Sequence, residues 1–115
     1  MRRLSTLIAL LLLASATAAA EEFVAGTEDV PMMPGLTFVT GSDLVFDKPE
    51  GRIVEAQAQG AVARAKVHAF YAASLPPLGW KKIGVDHWQR DAERLKLDFR
   101  GPDGHLIVSF TISPQ

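Results

Sequence analysis

The chain has 115 residues, with twelve lysines and arginines against thirteen aspartates and glutamates, and it contains no cysteine. The absence of cysteine excludes disulfides, and it also excludes a lipid-modified cysteine after an export signal. The even charge balance argues against nucleic acid as a partner, because binding to phosphates needs a clustered excess of positive charge.

The first twenty residues are typical of a secretory signal peptide that is cleaved on export. Arg2 and Arg3 precede an apolar run over residues 4–16, and small residues then continue to Ala20. Ala18 and Ala20 occupy the third and first positions before a cut that we place after Ala20. The alternative is an uncleaved membrane anchor, but a span needs about 20 apolar residues and this run is shorter. We therefore expect one mature domain without a membrane span.

Residues 21–43 are predicted to form an extended leader that lies on the surface. Three glycines and two prolines interrupt any long periodicity there. Residues 36–40 are rich in β-branched and aromatic side chains, which favours an additional short edge strand. The pair Met32-Met33 is interpreted as an adaptable plug against the core, with copper ligation as the alternative.

Residues 44–115 are predicted to form the folded domain, which begins with a β-hairpin. Pro49 and Gly51 suit a tight turn between strands at residues 44–47 and 52–59. In the second strand, small apolar residues alternate with glutamate and glutamine. This alternation indicates a sheet that is covered on one face only.

Residues 61–75 are predicted to form one amphipathic helix. The segment is rich in alanine, which loses no side-chain entropy in a helix. At 100° per residue, Val67 and Phe70 share the apolar stripe, with Tyr71 and Leu75 at its margin. We expect Phe70 to point into the sheet and Tyr71 to close the edge of that contact.

The run Pro76-Pro77-Leu78-Gly79-Trp80 is predicted to end the helix and to start the second half of the sheet. Further strands are predicted at residues 80–85, 87–90, 93–100 and 105–112, and the turn at residues 101–104 has the strongest turn chemistry in the chain. The resulting order is β-β-α-β-β-β-β. It predicts an α+β fold with a single helix packed on one face of an antiparallel sheet.

The order Val67-x-x-Phe70-Tyr71-x-x-x-Leu75-x-x-Leu78-Gly79-Trp80, followed by a polar-tipped hairpin and an alternating strand, resembles a module of small secreted proteins and lipoproteins of bacteria. The resemblance covers about residues 44–112. It implies that the motif joins a sheet-packing helix to the following strand, and it implies no catalytic residues. The chain departs from the lipoprotein members because it has no cysteine.

Catalytic and metal chemistry find little support in the residue pattern. His68, His87 and His105 fall on different predicted elements, without the spacing of paired metal ligands, and we expect them at the surface. The serines have no nucleophile-elbow signature, and no glycine-rich loop precedes a helix that would receive a phosphate. We therefore predict a protein that is not an enzyme and that holds no cofactor or metal.

The remaining candidate is the polar face of the sheet, on the side opposite the helix. Its predicted members are Glu55, Gln57, Gln59, Arg94, Lys96, Asp98, Arg100, Ser109 and Thr111. We expect an interaction surface at Arg94, Lys96, Asp98 and Arg100, with Trp88 as its anchor if that ring is exposed. A buried Trp88 would instead close one end of the core, and a polar face that only keeps the protein soluble is the alternative to an interaction surface.

These expectations together predict a small exported bacterial protein, periplasmic or secreted, that acts as an interaction or accessory module of the cell envelope. Its expected partner is an envelope protein or a glycan. The alternative is a periplasmic protein that binds a small molecule or a metal, with a pocket between helix and sheet lined by Trp80, Phe99 and Tyr71.

Overall fold

The computed structural model describes residues 22–115, so the predicted signal peptide over residues 1–20 lies outside the described residues. The elements follow one another as β1 (Thr37–Phe38), β2 (Leu44–Lys48), β3 (Gly51–Gly60), α1 (Arg64–Ser74), a 3₁₀ turn (Pro76–Leu78), β4 (Lys81–Gly84), β5 (His87–Arg90), β6 (Glu93–Arg100) and β7 (Leu106–Pro114). Within the described residues, one α-helix and seven strands confirm the α+β class. The short strand β1 confirms the additional edge strand.

All seven strands join one antiparallel sheet. Its order is β3-β7-β6-β5-β4, and both β1 and β2 pair with the outer side of β3. The longest registers lie at the centre, where Ala56 faces Phe110 and Phe110 faces Leu97. Because side chains alternate along each strand, these residues all point to the same side of the sheet.

That side of the sheet forms the core together with α1. The buried residues of the three central strands are Val54, Ala56, Ala58, Leu95, Leu97, Leu106, Val108, Phe110 and Ile112. The helix contributes Val67 and Tyr71, and Leu75 follows at its C-terminal end; each is no more than 1% exposed. The ring centroids of Tyr71 and Phe110 lie 5.6 Å apart in an edge-to-face arrangement, which aromatic pairs favour.

The roles predicted for the two adjacent aromatic residues of α1 are reversed. Tyr71 is buried at the centre of the contact, whereas Phe70 is half-buried and packs against the edge of the core. The phenol oxygen accounts for the difference, because it donates a hydrogen bond to the backbone carbonyl of Pro31, 2.8 Å away. A buried hydroxyl needs such a partner, and the leader supplies it.

The leader does not lie on the surface, so that part of the prediction is wrong. Val24, Val30, Met32 and Leu36 are all buried and belong to the same core as the helix and sheet. Met32 packs as a core side chain, in keeping with the plug interpretation. An irregular segment therefore fills the part of the inner sheet face that the 11-residue helix does not cover.

The N-terminus of α1 is capped from a distant part of the chain. Ala63, the residue before the helix, has no side chain that could cap it. The backbone N–H of Arg64 instead donates to Oδ1 of Asp103, 2.9 Å away, in the turn between β6 and β7. Within residues 22–115, no helix is long and apolar enough to cross a membrane.

Candidate functional site

The face of the sheet away from α1 and the leader, which we call the open face, carries the predicted interaction residues. Its side chains line up in rows across the strands. In one row Lys81 of β4 faces Gln89, Gln89 faces Arg94, and Arg94 faces Ser113 of β7. The residues at these positions are exposed or half-buried, so the open face is accessible across the width of the sheet.

Positive charge is concentrated on the β4–β6 half of the open face. Its cations are Lys81, Arg94, Lys96 and Arg100, which we call the basic patch, and all four are exposed. Asp98 is the acidic residue among them, and its Oδ1 lies 3.6 Å from Nζ of Lys96. Both side chains of that pair are about half exposed. Solvent screening therefore leaves the pair weak, and the patch keeps an excess of positive charge.

The other half of the open face is mainly uncharged. Gln57 and Gln59 of β3 face Ser109 and Ile107 of β7, and Glu55 is the acidic residue of this half. Towards the outer strand the face becomes apolar. Leu44 and Phe46 of β2 are exposed beside Ile53 of β3. A polar strip therefore separates the basic patch from an apolar margin.

Arg94, Lys96, Asp98 and Arg100 are brought together on the open face, but Trp88 is not among them. Trp88 faces Leu95 in the register of β5 with β6, so its ring lies on the core side of the sheet, where it is 5% exposed. Of the two roles left open for Trp88, the structure shows the one that closes an end of the core. A buried indole cannot anchor a partner without unfolding that end of the sheet.

A second cluster of charged groups lies on the inner side, where the leader meets the sheet. Asp29 is 9% exposed and forms ion pairs with Arg90 and, at 3.5 Å, with Arg52. The guanidinium of Arg52 also lies 2.9 Å from Glu93, and this hydrogen bond raises the pKa of Arg52 above its usual value. Two arginines and two carboxylates balance one another, so the cluster presents no excess charge to a ligand.

The cavity beside this cluster is polar and shallow. Its volume is about 420 Å³, and Gly26, Thr27, Glu28, Asp29 and Arg52 line it. Oδ1 of Asp29 is buried and has no hydrogen-bond partner among the described residues. Its other oxygen holds both arginines, and together these contacts fix the leader against the sheet. We assign the cluster a structural role.

In the pocket predicted between Trp80, Phe99 and Tyr71, the leader bonds to Trp80 and Tyr71, whereas Phe99 lies against His68 and Arg64. Trp80 is 1% exposed, and its indole N–H donates to the carbonyl oxygen of Asp29 at 3.0 Å. Tyr71 is hydrogen-bonded to the leader in the same way. Both polar groups that would orient a small ligand are therefore already satisfied.

The histidines lie on separate elements, and one of them has a specific partner. His68 on α1 places Nδ1 2.9 Å from Oδ1 of Asp86, and its ring lies 4.8 Å from that of Phe99. His87 lies on β5, and His105 precedes β7. Across residues 22–115, no three histidine, cysteine, aspartate or glutamate side chains come close enough together to hold a metal ion.

Two features of the open face could not be found from the sequence pattern. Lys81 joins the basic patch because of its register with Gln89, and the bulge that follows Lys82 hides this alternation in the sequence. The apolar margin at Leu44 and Phe46 is equally hidden, since an edge strand with exposed apolar residues has the pattern of an ordinary core strand. The turn at Pro49-Glu50 indicates that β2 pairs with β3, but it does not indicate that the other side of β2 is unpaired.

Comparisons with protein-family models, curated proteins and solved structures give no match to this chain. The resemblance to small secreted proteins and lipoproteins of bacteria therefore stays a prediction carried by residues 67–80.

Proposed function

We propose that this protein is a non-enzymatic interaction module of the bacterial cell envelope, and that the open face binds an anionic partner. The observation that carries the proposal is the basic patch. Four exposed cations accompany one acidic side chain on strands β4 and β6, which flank β5 in the sheet, in a chain whose overall charge is slightly negative. Such a local excess attracts negative groups by long-range electrostatics. The partner is an envelope protein or a glycan that carries negative charge.

The contents of the two faces of the sheet support a binding role for the open face and a structural role for the inner face. The inner face is filled by the helix and leader, and its polar groups at Trp80 and Tyr71 are used within the chain. On the open face the long side chains of Arg94 and Arg100 are exposed. Their guanidinium groups suit bidentate contacts with carboxylates or phosphates.

Site-specific photocrosslinking in intact envelopes tests the proposal. A photoreactive amino acid replaces Thr111, at the centre of the open face, and Ala69, on the exposed side of α1, serves as the control position. We expect a discrete adduct from position 111 and none from position 69. Identical adducts from both positions, or no adduct from position 111, would contradict the proposal.

A pair of charge variants then tests the basic patch itself. The double variant Lys96→Glu/Arg100→Glu reverses two charges on the open face, and Lys66→Glu/Lys82→Glu makes the same change in net charge elsewhere on the exposed surface. We expect the first variant to lose the adduct at position 111 and the second to keep it. Equal loss in both would show that only net charge matters.

Export is part of the same proposal and has its own measurement. The signal-like N-terminus and the resemblance to small secreted bacterial proteins support it. When the protein is expressed in a bacterium with two membranes, we expect it in the periplasmic or extracellular fraction with Glu21 as its first residue. Mass spectrometry of that fraction measures the N-terminus, and retention of Arg2 and Arg3 would contradict the cleaved signal.

A further inference from the structure

The edge strand β2 is less protected against pairing with another strand than the opposite edge of the sheet. All five of its residues are exposed, and Leu44, Val45 and Phe46 are apolar. Natural sheets protect their edges with lysines, bulges or covering segments. The opposite edge, β4, has Lys81 and Lys82 and an irregular register, whereas β2 has a regular register over all five residues.

The backbone groups of β2 that remain unused can be identified from its partner β3. The N–H of Gln57 donates to Ser42 Oγ at 3.0 Å, and the carbonyl of Gln57 accepts from Val39 N–H at 2.8 Å. Gln57 therefore directs both backbone groups towards the β1–β2 side. Because these groups alternate along a strand, Ile53 and Glu55 direct theirs the same way.

Leu44 and Phe46 lie opposite Glu55 and Ile53, and they use their backbone groups in bonds to β3. The backbone groups of Val45 and Asp47 then point away from the sheet. No described residue outside the β2–β3 pair hydrogen-bonds to them. A strand that runs alongside β2 would satisfy them all.

We propose that β2 is a self-association edge, at which two copies of this chain join their β2 strands antiparallel about a two-fold axis at Phe46. This register places residue 44 opposite 48, residue 45 opposite 47, and Phe46 opposite its own copy. It is the two-fold register in which all five residues of both strands overlap. Closed two-fold dimers are also the commonest form of homo-oligomer.

The side chains agree with this register. On the open face, Phe46 meets Phe46 of the second copy, flanked on both sides by Ile53, so that an apolar row crosses the interface. In the neighbouring row, Lys48 of one copy lies beside Leu44 of the other, with Glu55 one strand further on. A lysine side chain is long enough to pass over Leu44 towards that carboxylate.

Shifting the axis one or two residues towards the start of β2 is less favourable. An axis at Val45 would place Asp43 directly opposite Asp47 of the second copy, and like charges opposite each other destabilise a strand pair. An axis at Leu44 would set Asp47 against Gly41, which is in a turn and outside any strand. Register and charge thus both favour the axis at Phe46.

The interface is a short one, so the dimer is expected to be weak. A single pair of five-residue strands buries less than about 1,200 Å², which is the range of transient contacts. Sedimentation velocity of the purified protein at increasing concentration is expected to show a monomer–dimer equilibrium in the micromolar to millimolar range. A monomer at every concentration, or growth into species without a size limit, would overturn the proposal.

Charge substitutions at exposed edge positions test which edge is used. Phe46→Lys sets two ammonium groups opposite each other and is expected to abolish the dimer. Ile83→Lys, on β4 and 49% exposed against 39% for Phe46, is the matched control and is expected to dimerise like the original chain. Circular dichroism establishes that both variants are folded. Loss of the dimer in both variants, or in neither, would contradict association through β2.

Single-cysteine variants test the register, because the chain has no cysteine of its own. Residues facing each other have Cβ atoms about 5 Å apart, within reach of a disulfide, so Phe46→Cys is expected to crosslink under a mild oxidant. In the same dimer, two Leu44→Cys sites lie about 13 Å apart along the strands and are out of reach. Equal crosslinking of the two variants would overturn the register.

The proposal is independent of the partner bound by the open face. The variant Lys96→Glu/Arg100→Glu is expected to leave the dimer unchanged, because β6 is separated from β2 by β7 and β3. Conversely, Phe46→Lys is expected to abolish the dimer. This loss is measured on purified protein, with no partner present. Failure of one proposal can therefore be told apart from failure of the other.

Discussion

The buried phenol of Tyr71 gives a direct test of where the leader lies. Its ring is 1% exposed, and its hydroxyl donates to the leader carbonyl of Pro31 at 2.8 Å. Burial raises the pKa of Tyr71 above its ordinary value of 10.0, because the ionised form would lose its hydration. In the folded chain the phenol therefore stays protonated at pH values at which the unfolded chain ionises it.

The sign of the resulting pH dependence follows from this difference. Below pH 10 both states are protonated, and the full stabilising contribution is present. Above pH 10 the unfolded state alone releases its proton, so the free energy of unfolding falls by about 1.4 kcal/mol per pH unit until the folded phenol also ionises. Chemical unfolding of the protein between pH 8 and pH 11 measures this slope.

The variant Tyr71→Phe removes both the hydrogen bond and the titrating group. At neutral pH we expect a loss of about 1–2 kcal/mol, which combines the missing bond with a buried carbonyl that has lost its donor. In a domain of this size that corresponds to a fall in Tm of about 4–8 °C for each kcal/mol. Between pH 10 and pH 11, the difference between variant and original chain is expected to shrink by about 1 kcal/mol.

The chain contains one tyrosine, so the absorbance of tyrosinate reports on this residue alone. We expect no ionisation near pH 10 in the folded protein, and ordinary ionisation in denaturant. Ionisation of the folded protein with a midpoint near 10 would refute the reasoning. The phenol would then be in water, and the leader could not occupy the inner face of the sheet.

Three further substitutions test a close backbone contact and a helix cap. Gly60→Ala would place a Cβ 2.0 Å from the carbonyl oxygen of Gly35, so we expect a loss of stability of more than about 3 kcal/mol. The control Gly84→Ala meets only ordinary contacts at 3.7 Å and should cost less than about 1 kcal/mol. Equal denaturation midpoints for the two variants would contradict this expectation. Asp103→Ala removes the oxygen that accepts from Arg64 N–H, and thermal unfolding should show a loss of stability of about 1 kcal/mol. An unchanged Tm would mean that solvent replaces the cap.

The regular half of the structure could be predicted closely from the sequence. Polar–apolar alternation in residues 52–59 and 93–100 identifies the strands and their two faces, and the observed β3 and β6 differ from the predictions by at most one residue at each end. The same alternation places Arg94, Lys96, Asp98 and Arg100 together. A periodic pattern carries this information because one face of each element must be buried.

The position of the leader could not be predicted from the sequence, and other differences between prediction and structure follow from that position. Its glycines and prolines give no period, so nothing local shows that Val24 and Val30 are buried. The choice between Phe70 and Tyr71 depends on a carbonyl of the leader, a contact 40 residues away along the chain. The burial of Trp88 depends on the strand register. All of these are tertiary effects that override local patterns.

The attachments of the leader also set an order of events during folding. Its hydrogen bonds to Tyr71, Trp80 and Arg90 span 40, 51 and 61 residues, and contacts of such large sequence separation are slow to form. The leader is thus synthesised well before the donor groups that it binds in the folded protein. The full set of native contacts of the leader can therefore form only once the chain has been made as far as β5.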